Sequence, residues 1–277
     1  MGGSQAQLQK PERNLPRSEP SFISLHKIKN MEDKIALIDA DSLIYYEMGK
    51  DTLEEALEGI DSRINQMLTE TGATHYAGFL TSGRCFRYNT AKTRPYKGNR
   101  KRGDKPIIFP AIKEYLRQEW NCMSIPELEA DDLVSIYHGA FVKDTVICSP
   151  DKDVLYQNEG IHYNYGKAEM VSVDALDAFT FLWKQMLMGD PTDGVPGIPK
   201  VGPKTAETWL KDVDLEDMPE FVLRKYIDCF GESDGICKFA ETYKLIYILK
   251  TREDVIRETG LELDPLEIYN NEEEQII

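Results

Sequence analysis

Two short apolar runs, each ending in acids, constrain this chain more than any other feature. Ile35 to Ile38 of "KIALIDAD" run into Asp39 and Asp41, and Thr145 to Cys148 of "TVICSPDKD" run into Asp151 and Asp153. Runs that are apolar at consecutive positions suit strands buried on both faces of a parallel sheet. Amphipathic segments separate them. Leu53, Ala56, Leu57, Ile60, Ile64 and Met67 recur at helical spacing, "HYAGFL" reads as a strand, and Pro110 to Trp120 and "IPELEADDLVSIYHGAF" read as helices. This alternation predicts an α/β fold with a mainly parallel central sheet flanked by helices. In such sheets ligands sit beyond the carboxyl ends of the strands, which places Asp39, Asp151 and Asp153 along one rim.

The chain divides by composition. Residues 1–30 are polar and rich in Ser, Gln and Pro, an arm expected to have no fold. Residues 31–185 carry the strand and helix pattern, 186–262 read as a smaller helical subdomain, and the acidic tail, 263–277, is expected to fray. No apolar run approaches the ~20 residues that span a bilayer, and the N-terminus lacks a signal-peptide core. Cys85, Cys122, Cys148, Cys229 and Cys237 are scattered with no CxxC pair, which argues against a disulfide framework and a zinc site. A reducing cytosol is the expected compartment, with no membrane partner.

The formal charge of −15, from 33 Lys+Arg against 48 Asp+Glu, argues against a general nucleic-acid binder. One strip departs from the average: from Arg84 to Lys105 the basic residues are Arg84, Arg87, Lys92, Arg94, Lys97, Arg100, Lys101, Arg102 and Lys105, with Asp104 the one acid. The candidate acids fall in four clusters, Asp39 with Asp41, Glu129 with Asp131 and Asp132, Asp151 with Asp153, and Asp190 with Asp193. Taken singly, helix capping explains the second cluster and turn chemistry the last. Taken together, carboxylates converging on one sheet edge repel unless hard cations neutralise them, and oxygen donors select Mg²⁺ or Mn²⁺ over zinc. Two such ions clamp the attacking and leaving oxygens of a displacement at phosphorus. Acids that hold metal beside bases that hold phosphate suit a polyanionic substrate.

"GVPGIPKVGPKTAETWL" places Gly197, Ile198, Lys200, Val201 and Gly202 before Pro203, Lys204 and Thr205. Glycines permit close backbone approach, and Pro203 suits the start of a helix whose free N–H groups would face a phosphate. The pattern matches a helix-hairpin-helix element, which grips the duplex backbone without reading bases. A plain Gly-Pro connector is the competing explanation.

With "LIDAD", "YKGNR", "ELEADD", "SPDKD" and "MGDPTDGVPGIPKVGPKTA" in this order, the stretch Lys34 to Leu210 resembles the 5′ nucleases, the flap endonucleases and 5′–3′ exonucleases, most closely the bacteriophage type. The resemblance implies a PIN-like nuclease domain with a helix-hairpin-helix subdomain. It implies that Asp39, Glu129, Asp131, Asp132 and Asp151 surround a first divalent ion while Asp153, Asp190 and Asp193 complete a second. It also implies that Tyr96, Lys97 and Arg100 serve the scissile phosphate. Arg84, Arg87, Lys101 and Arg102 and the hairpin residues Gly197, Ile198, Lys200, Val201, Gly202, Lys204 and Thr205 would hold DNA, with K⁺ against Ile198 and Val201. The implied partners are DNA with 5′ ends, flaps or branches, and RNA–DNA hybrid as a near variant. A monomer in the cytoplasm of a bacterial or phage-infected cell is expected.

Two features depart from the family's pattern. Thr81 and Ser82 stand where the family carries an Asp after the second strand, so the first metal site lacks a charge unless Asp41 supplies it. The stretch from Arg100 to Glu129 is short for an arch that threads a 5′ strand. The aromatics Tyr45, Tyr46, Phe86, Tyr88 and Tyr96 read as core before stacking platforms, and His26, His75, His138 and His162 share no ligand spacing. Ser149 has no partnered base to make it a nucleophile. The expected activity is two-metal hydrolysis of DNA phosphodiesters near 5′ ends. A branched-DNA-binding protein weakened in catalysis on the same fold is the alternative, and an acidic interaction protein whose acids are caps and turns is a third.

Overall fold

The computed structural model describes residues 21–22, 34–99 and 106–262. In chain order these form β1 (Ser21–Phe22), β2 (Ile35–Asp39), α1 (Ala40–Glu47), α2 (Leu53–Thr71), β3 (His75–Phe79), α3 (Arg87–Thr90), α4 (Ile108–Glu119), α5 (Ala130–Ala140), β4 (Thr145–Cys148), α6 (Lys152–Gln157), β5 (Gly160–Asn164) and β6 (Glu169–Val173). After them come α7 (Ala175–Met188), β7 (Gly189–Asp190), β8 (Val195–Pro196), α8 (Pro203–Leu210), α9 (Met218–Phe230), α10 (Glu232–Ile246) and α11 (Arg252–Thr259). One sheet of order β1-β3-β2-β4-β5-β6 is parallel except for the β5–β6 pair.

The doubly apolar strands sit where their sequence demands. Alternate residues of β2 face opposite sides, with Ala36 and Ile38 packing into the layer of α1, α2 and α4, and Ile35 and Leu37 into the layer of α5 and α6. Every residue of β2 and β4 is buried. α2 begins at a Thr52–Glu55 capping box and ends at Gly72 in the left-handed region, φ 66°, so the helix that roofs β2 is bounded by its own sequence.

A third core, built on Leu182, Trp183, Met186, Ala206, Val222 and Tyr226, holds the helical lobe together and takes in Cys85 and Tyr96 from the α/β domain. The segment carrying Tyr96 is thereby welded to both lobes. The expected division at residue 185 falls inside α7, whose C-terminal half belongs to the helical core.

Two elements differ from expectation. Within the arm expected to have no fold, Ser21–Phe22 add a parallel strand beside β3. The β5–β6 hairpin was not legible as one. Its turn is closed by the Asn164 side chain, whose Oδ1 accepts from Gly166 and Lys167 N–H, with Ala168 at φ 53°. The acidic tail lies outside the described residues.

Candidate functional site

The carboxyl ends of β2 and β4 lie side by side, and their acids are fixed by short local contacts. Asp39 caps α1 and accepts from Ser42 Oγ at 2.8 Å and Ser149 Oγ at 2.9 Å. Asp151 caps α6, its Oδ1 accepting from the backbone N–H of Asp153 at 2.8 Å. Beyond α4 the chain runs beside the end of β3, with Met123 N–H donating to Gly78 and Leu80 N–H to Met123. That course delivers Glu129 and Asp131, at the start of α5, to the same rim.

The acids line two adjoining clefts that share Lys97, Glu129, Asp131 and Asp151. The larger, of about 420 Å³, is reached by Asp39 and Asp41. The smaller, of about 100 Å³, is reached by Asp153, Asp190 and Asp193. Seven of the eight acids placed around two metals from sequence, with Asp41, thus meet at one place. Asp190 and Asp193 arrive from the β7–β8 turn, where Asp190 Oδ1 accepts from Thr192 N–H at 2.8 Å.

Asp132 is the exception. It is fully buried and gives both oxygens to Arg87, at 2.7 Å each, while its Oδ2 also accepts the Glu129 N–H and its Oδ1 the Leu249 N–H. Its place is a helix cap and an interior ion pair, and it lines neither cleft. Arg87 is corrected with it. At 3% exposure it stands at the wall of the smaller cleft with its guanidinium committed to Asp132, Glu129 and the Tyr247 carbonyl, an interior anchor in place of an exposed phosphate contact. Charge complementarity with Asp132 drew it inward.

Tyr96 and Lys97 bridge the two sides of the site. Tyr96 Oη lies 2.9 Å from both Glu129 Oε2 and Asp193 Oδ2, and the residue is buried where it lines the smaller cleft, so its hydroxyl is engaged in orienting those acids. Lys97 holds a left-handed backbone, φ 55°, donates its N–H to the Asp193 carbonyl, and places its ammonium on Glu129 Oε1 with Asp193 Oδ2 at 3.7 Å. Arg100, Lys101 and Arg102 lie outside the described residues, as does part of the short arch.

The electrostatics separate the acids into two groups. Burial favours the neutral form of Glu129, but Lys97 and Arg87 outweigh it and bring its pKa to about 2. Lys97 is in turn raised above the ordinary lysine value, Glu129 and Asp193 prevailing over its burial. The uncompensated acids go the other way. Burial, then Asp41, raises Asp39 to about 6, and burial, then Asp151, raises Asp153 to about 7. Asp131 is pushed well up by burial and the charges of Asp39 and Asp151, and Asp41 and Asp151 are raised chiefly by burial.

Among the described residues no three Asp, Glu, His or Cys side chains form a ready cation cage. The donor set nonetheless fits hard divalent cations. It consists of carboxylate oxygens, among which Asp39, Asp131, Asp151 and Asp153 are raised by burial and by one another or neighbouring acids, and Asp153 Oδ1 is buried without a hydrogen-bond partner, the Lys152 ammonium standing 3.7 Å away. Thr81, at the position where an acid was expected, donates its N–H to Asp41 Oδ2 at 3.1 Å and accepts the Ala130 N–H at its hydroxyl. A carboxylate is therefore present at the end of β3, supplied by Asp41. Sequence reasoning passed over Lys113 and Gln185, which line the larger and the smaller cleft, and the anchoring role of Ser149.

The Gly-rich loop connects α7, through the β7–β8 pair, to α8. Gly197 is where two backbones touch: a Cβ there would lie 2.2 Å from the Met188 carbonyl carbon. Gly202 caps α8 in extended backbone and faces open space. Ile198 is buried, Val201 and Thr205 are half-buried, and Lys200, at φ 66°, and Lys204 are exposed. Arg84 is exposed, its guanidinium 5.0 Å from the Tyr88 ring centroid.

No protein-family model matches the chain. It is 27% identical over 208 residues to DNA polymerase I of Geobacillus stearothermophilus, a match covering 65% of this chain and 24% of that protein. It is 33% identical over 95 residues to a 5′-3′ exonuclease of Buchnera aphidicola, covering 30% of this chain and 33% of that one. The chain thus spans only a quarter to a third of these curated relatives. The bacteriophage T5 D15 protein co-crystallised with metal ions superposes with a TM-score of 0.60 at 15% identity, covering 82% of this chain and 94% of that chain. The T5 D15 flap endonuclease in a pseudo-enzyme–product complex with DNA and metal ions gives 0.54 at 15% identity, covering 82% and 100%. With its mainly parallel sheet and helical lobe, the chain has the fold of the phage 5′-exonuclease and flap-endonuclease family.

Proposed function

We propose that the chain is a structure-specific 5′ nuclease that hydrolyses DNA phosphodiesters near 5′ ends, flaps or branches and depends on two divalent ions, Mg²⁺ or Mn²⁺. The observation that carries this reading is the pair of carboxylate clefts joined at Glu129, Asp131 and Asp151 with Lys97 on their common wall. Asp39, Asp41, Asp131 and Asp151 would hold one ion and Asp151, Asp153, Asp190 and Asp193 the other, with Glu129 between them. When bound, the ions supply neutralisation of the phosphate and activation of the attacking water.

The chain's own groups do the rest. Lys97, half-buried and held on Glu129 and Asp193, stays cationic and stabilises charge developing on the phosphate oxygens, with Arg100 as its partner by motif. Tyr96 holds Glu129 and Asp193 in register across the two lobes. Arg84, Lys200 and Lys204 are exposed cations suited to the phosphate backbone, and open space at Gly202 lets a duplex approach the start of α8. K⁺ at Ile198 and Val201 rests on the hairpin motif alone.

Incubation of a 5′-flap duplex with the protein and Mg²⁺ tests the reading. Release of short 5′ fragments is expected, whereas salt-sensitive binding with no cleavage would turn the fold into a branched-DNA binder.

A further inference from the structure

The stretch Ala91 to Asn99 has no regular secondary structure of its own, yet it carries Lys97. Its far end is tied to the β7–β8 turn: Lys97 N–H donates to the Asp193 carbonyl at 2.7 Å, and the Asn99 amide donates to the Pro191 carbonyl. Its near end is tied to the helical lobe by one side chain. Glu241 of α10 accepts the backbone N–H groups of Lys92 at 2.6 Å and Thr93 at 2.7 Å on Oε1, and the Thr93 hydroxyl at 2.6 Å on Oε2.

We infer that Glu241 is a positioning residue for Lys97, holding the near end of this strap so that the ammonium stands on the wall shared by the two clefts. Both carboxylate oxygens are used, and the three donors come from two consecutive residues, a geometry that fixes a backbone as well as a side chain. Hydrogen bonds at so exposed a place add little to global stability. Their consequence is geometric, because Lys97 sits in left-handed backbone that a non-glycine residue leaves when it is free to do so. With the near end released, exposed Arg94 and Pro95 can rearrange, and the left-handed backbone of Lys97 is then held only by buried Tyr96 and the Asp193 carbonyl, so the ammonium is less firmly kept on Glu129. The carboxyl of Glu241 is held below its ordinary range, burial being outweighed by the Thr93 and Lys92 hydrogen bonds, so the clamp is charged at neutral pH.

The catalytic part of this inference rests on the nuclease reading, and the experiment separates the two. Glu241→Ala, Glu241→Gln, Thr93→Val, Lys97→Ala and the Glu241→Ala/Lys97→Ala double variant are compared by amide hydrogen exchange and by single-turnover cleavage of a 5′-flap duplex in Mg²⁺. Glu241→Ala is expected to speed exchange at the Lys92 and Thr93 amides and to slow cleavage by roughly tenfold to a hundredfold, with duplex affinity changed by less than about threefold. Glu241→Gln, which keeps an acceptor, and Thr93→Val, which removes one donor, should lose less than Glu241→Ala. The double variant should be no slower than Lys97→Ala alone. Wild-type cleavage by Glu241→Ala, or losses that multiply in the double variant, would overturn the inference while leaving the nuclease intact. A wild-type protein that cuts no flap would overturn the nuclease reading and the catalytic role of Glu241 with it, whatever the exchange shows.

Discussion

Arg87 and Asp132 meet in the interior through two parallel 2.7 Å hydrogen bonds, joining the start of α3 to the start of α5 beneath the candidate site. Both are essentially inaccessible, at 3% and 0% exposure. Removing either partner strands a buried charge, so Arg87→Met or Asp132→Ala should each cost about 3–5 kcal/mol in urea unfolding. The double variant should be less destabilised than the sum of the singles. A loss under about 1 kcal/mol in either single variant would contradict the interior pair.

Gly197 and Gly202 should behave differently although the motif treats them alike. Gly197→Ala must push a methyl group into the Met188 carbonyl and lower stability by about 1–3 kcal/mol. A Cβ at Gly202 would meet nothing within 4 Å, so Gly202→Val should lose at most about 1 kcal/mol of stability, as at a helix cap, while weakening duplex binding in a salt-dependent assay by blocking backbone approach. Normal duplex affinity in Gly202→Val would make the loop a connector.

His162 makes the metal-free protein sensitive to acid. Burial, with His138 beside it, lowers its pKa to about 4, and its Nδ1 is buried without a partner while Nε2 meets the Asn158 carbonyl at 2.8 Å. Between its ordinary value and 4 the unfolded chain binds the extra proton, so the contribution of His162 is whole above about pH 6.5 and is lost as pH falls through 4. The gap in unfolding free energy between the wild type and His162→Gln should narrow by up to about 3 kcal/mol over that window. Asp39 and Asp153 act in the opposite sense and cancel in the comparison. A gap independent of pH would contradict a neutral, buried His162.

Lys97→Ala should slow single-turnover cleavage of a flap by about a hundredfold to a thousandfold, with duplex affinity little changed. An effect confined to affinity would reduce Lys97 to a phosphate contact remote from the chemistry.

β2 and β4 were legible because both faces of each are apolar, and the acids that follow them could be placed on one rim once the sheet was read as parallel. Arg87 was misplaced because a basic strip does not reveal which member turns inward. The decisive partner, Asp132, is distant in sequence and is recognisable only as the third residue after a helix cap, the spacing of a capping box. The β5–β6 hairpin was hidden because its turn relies on the Asn164 side chain and a left-handed Ala168. Glu241 was invisible because a polar-face helical acid reads the same in sequence whether it clamps a loop or faces water.

Whether the carboxylate clefts hold the metal of a 5′ nuclease is decided by cleavage of a 5′-labelled flap duplex without metal and with Mg²⁺, Mn²⁺ or Ca²⁺, beside Asp153→Asn. Cutting in Mg²⁺ or Mn²⁺ is expected, and Asp153→Asn should lose it while still binding the flap. Cutting that persists undiminished in the variant, or tight binding with no cutting in any metal, would contradict that assignment.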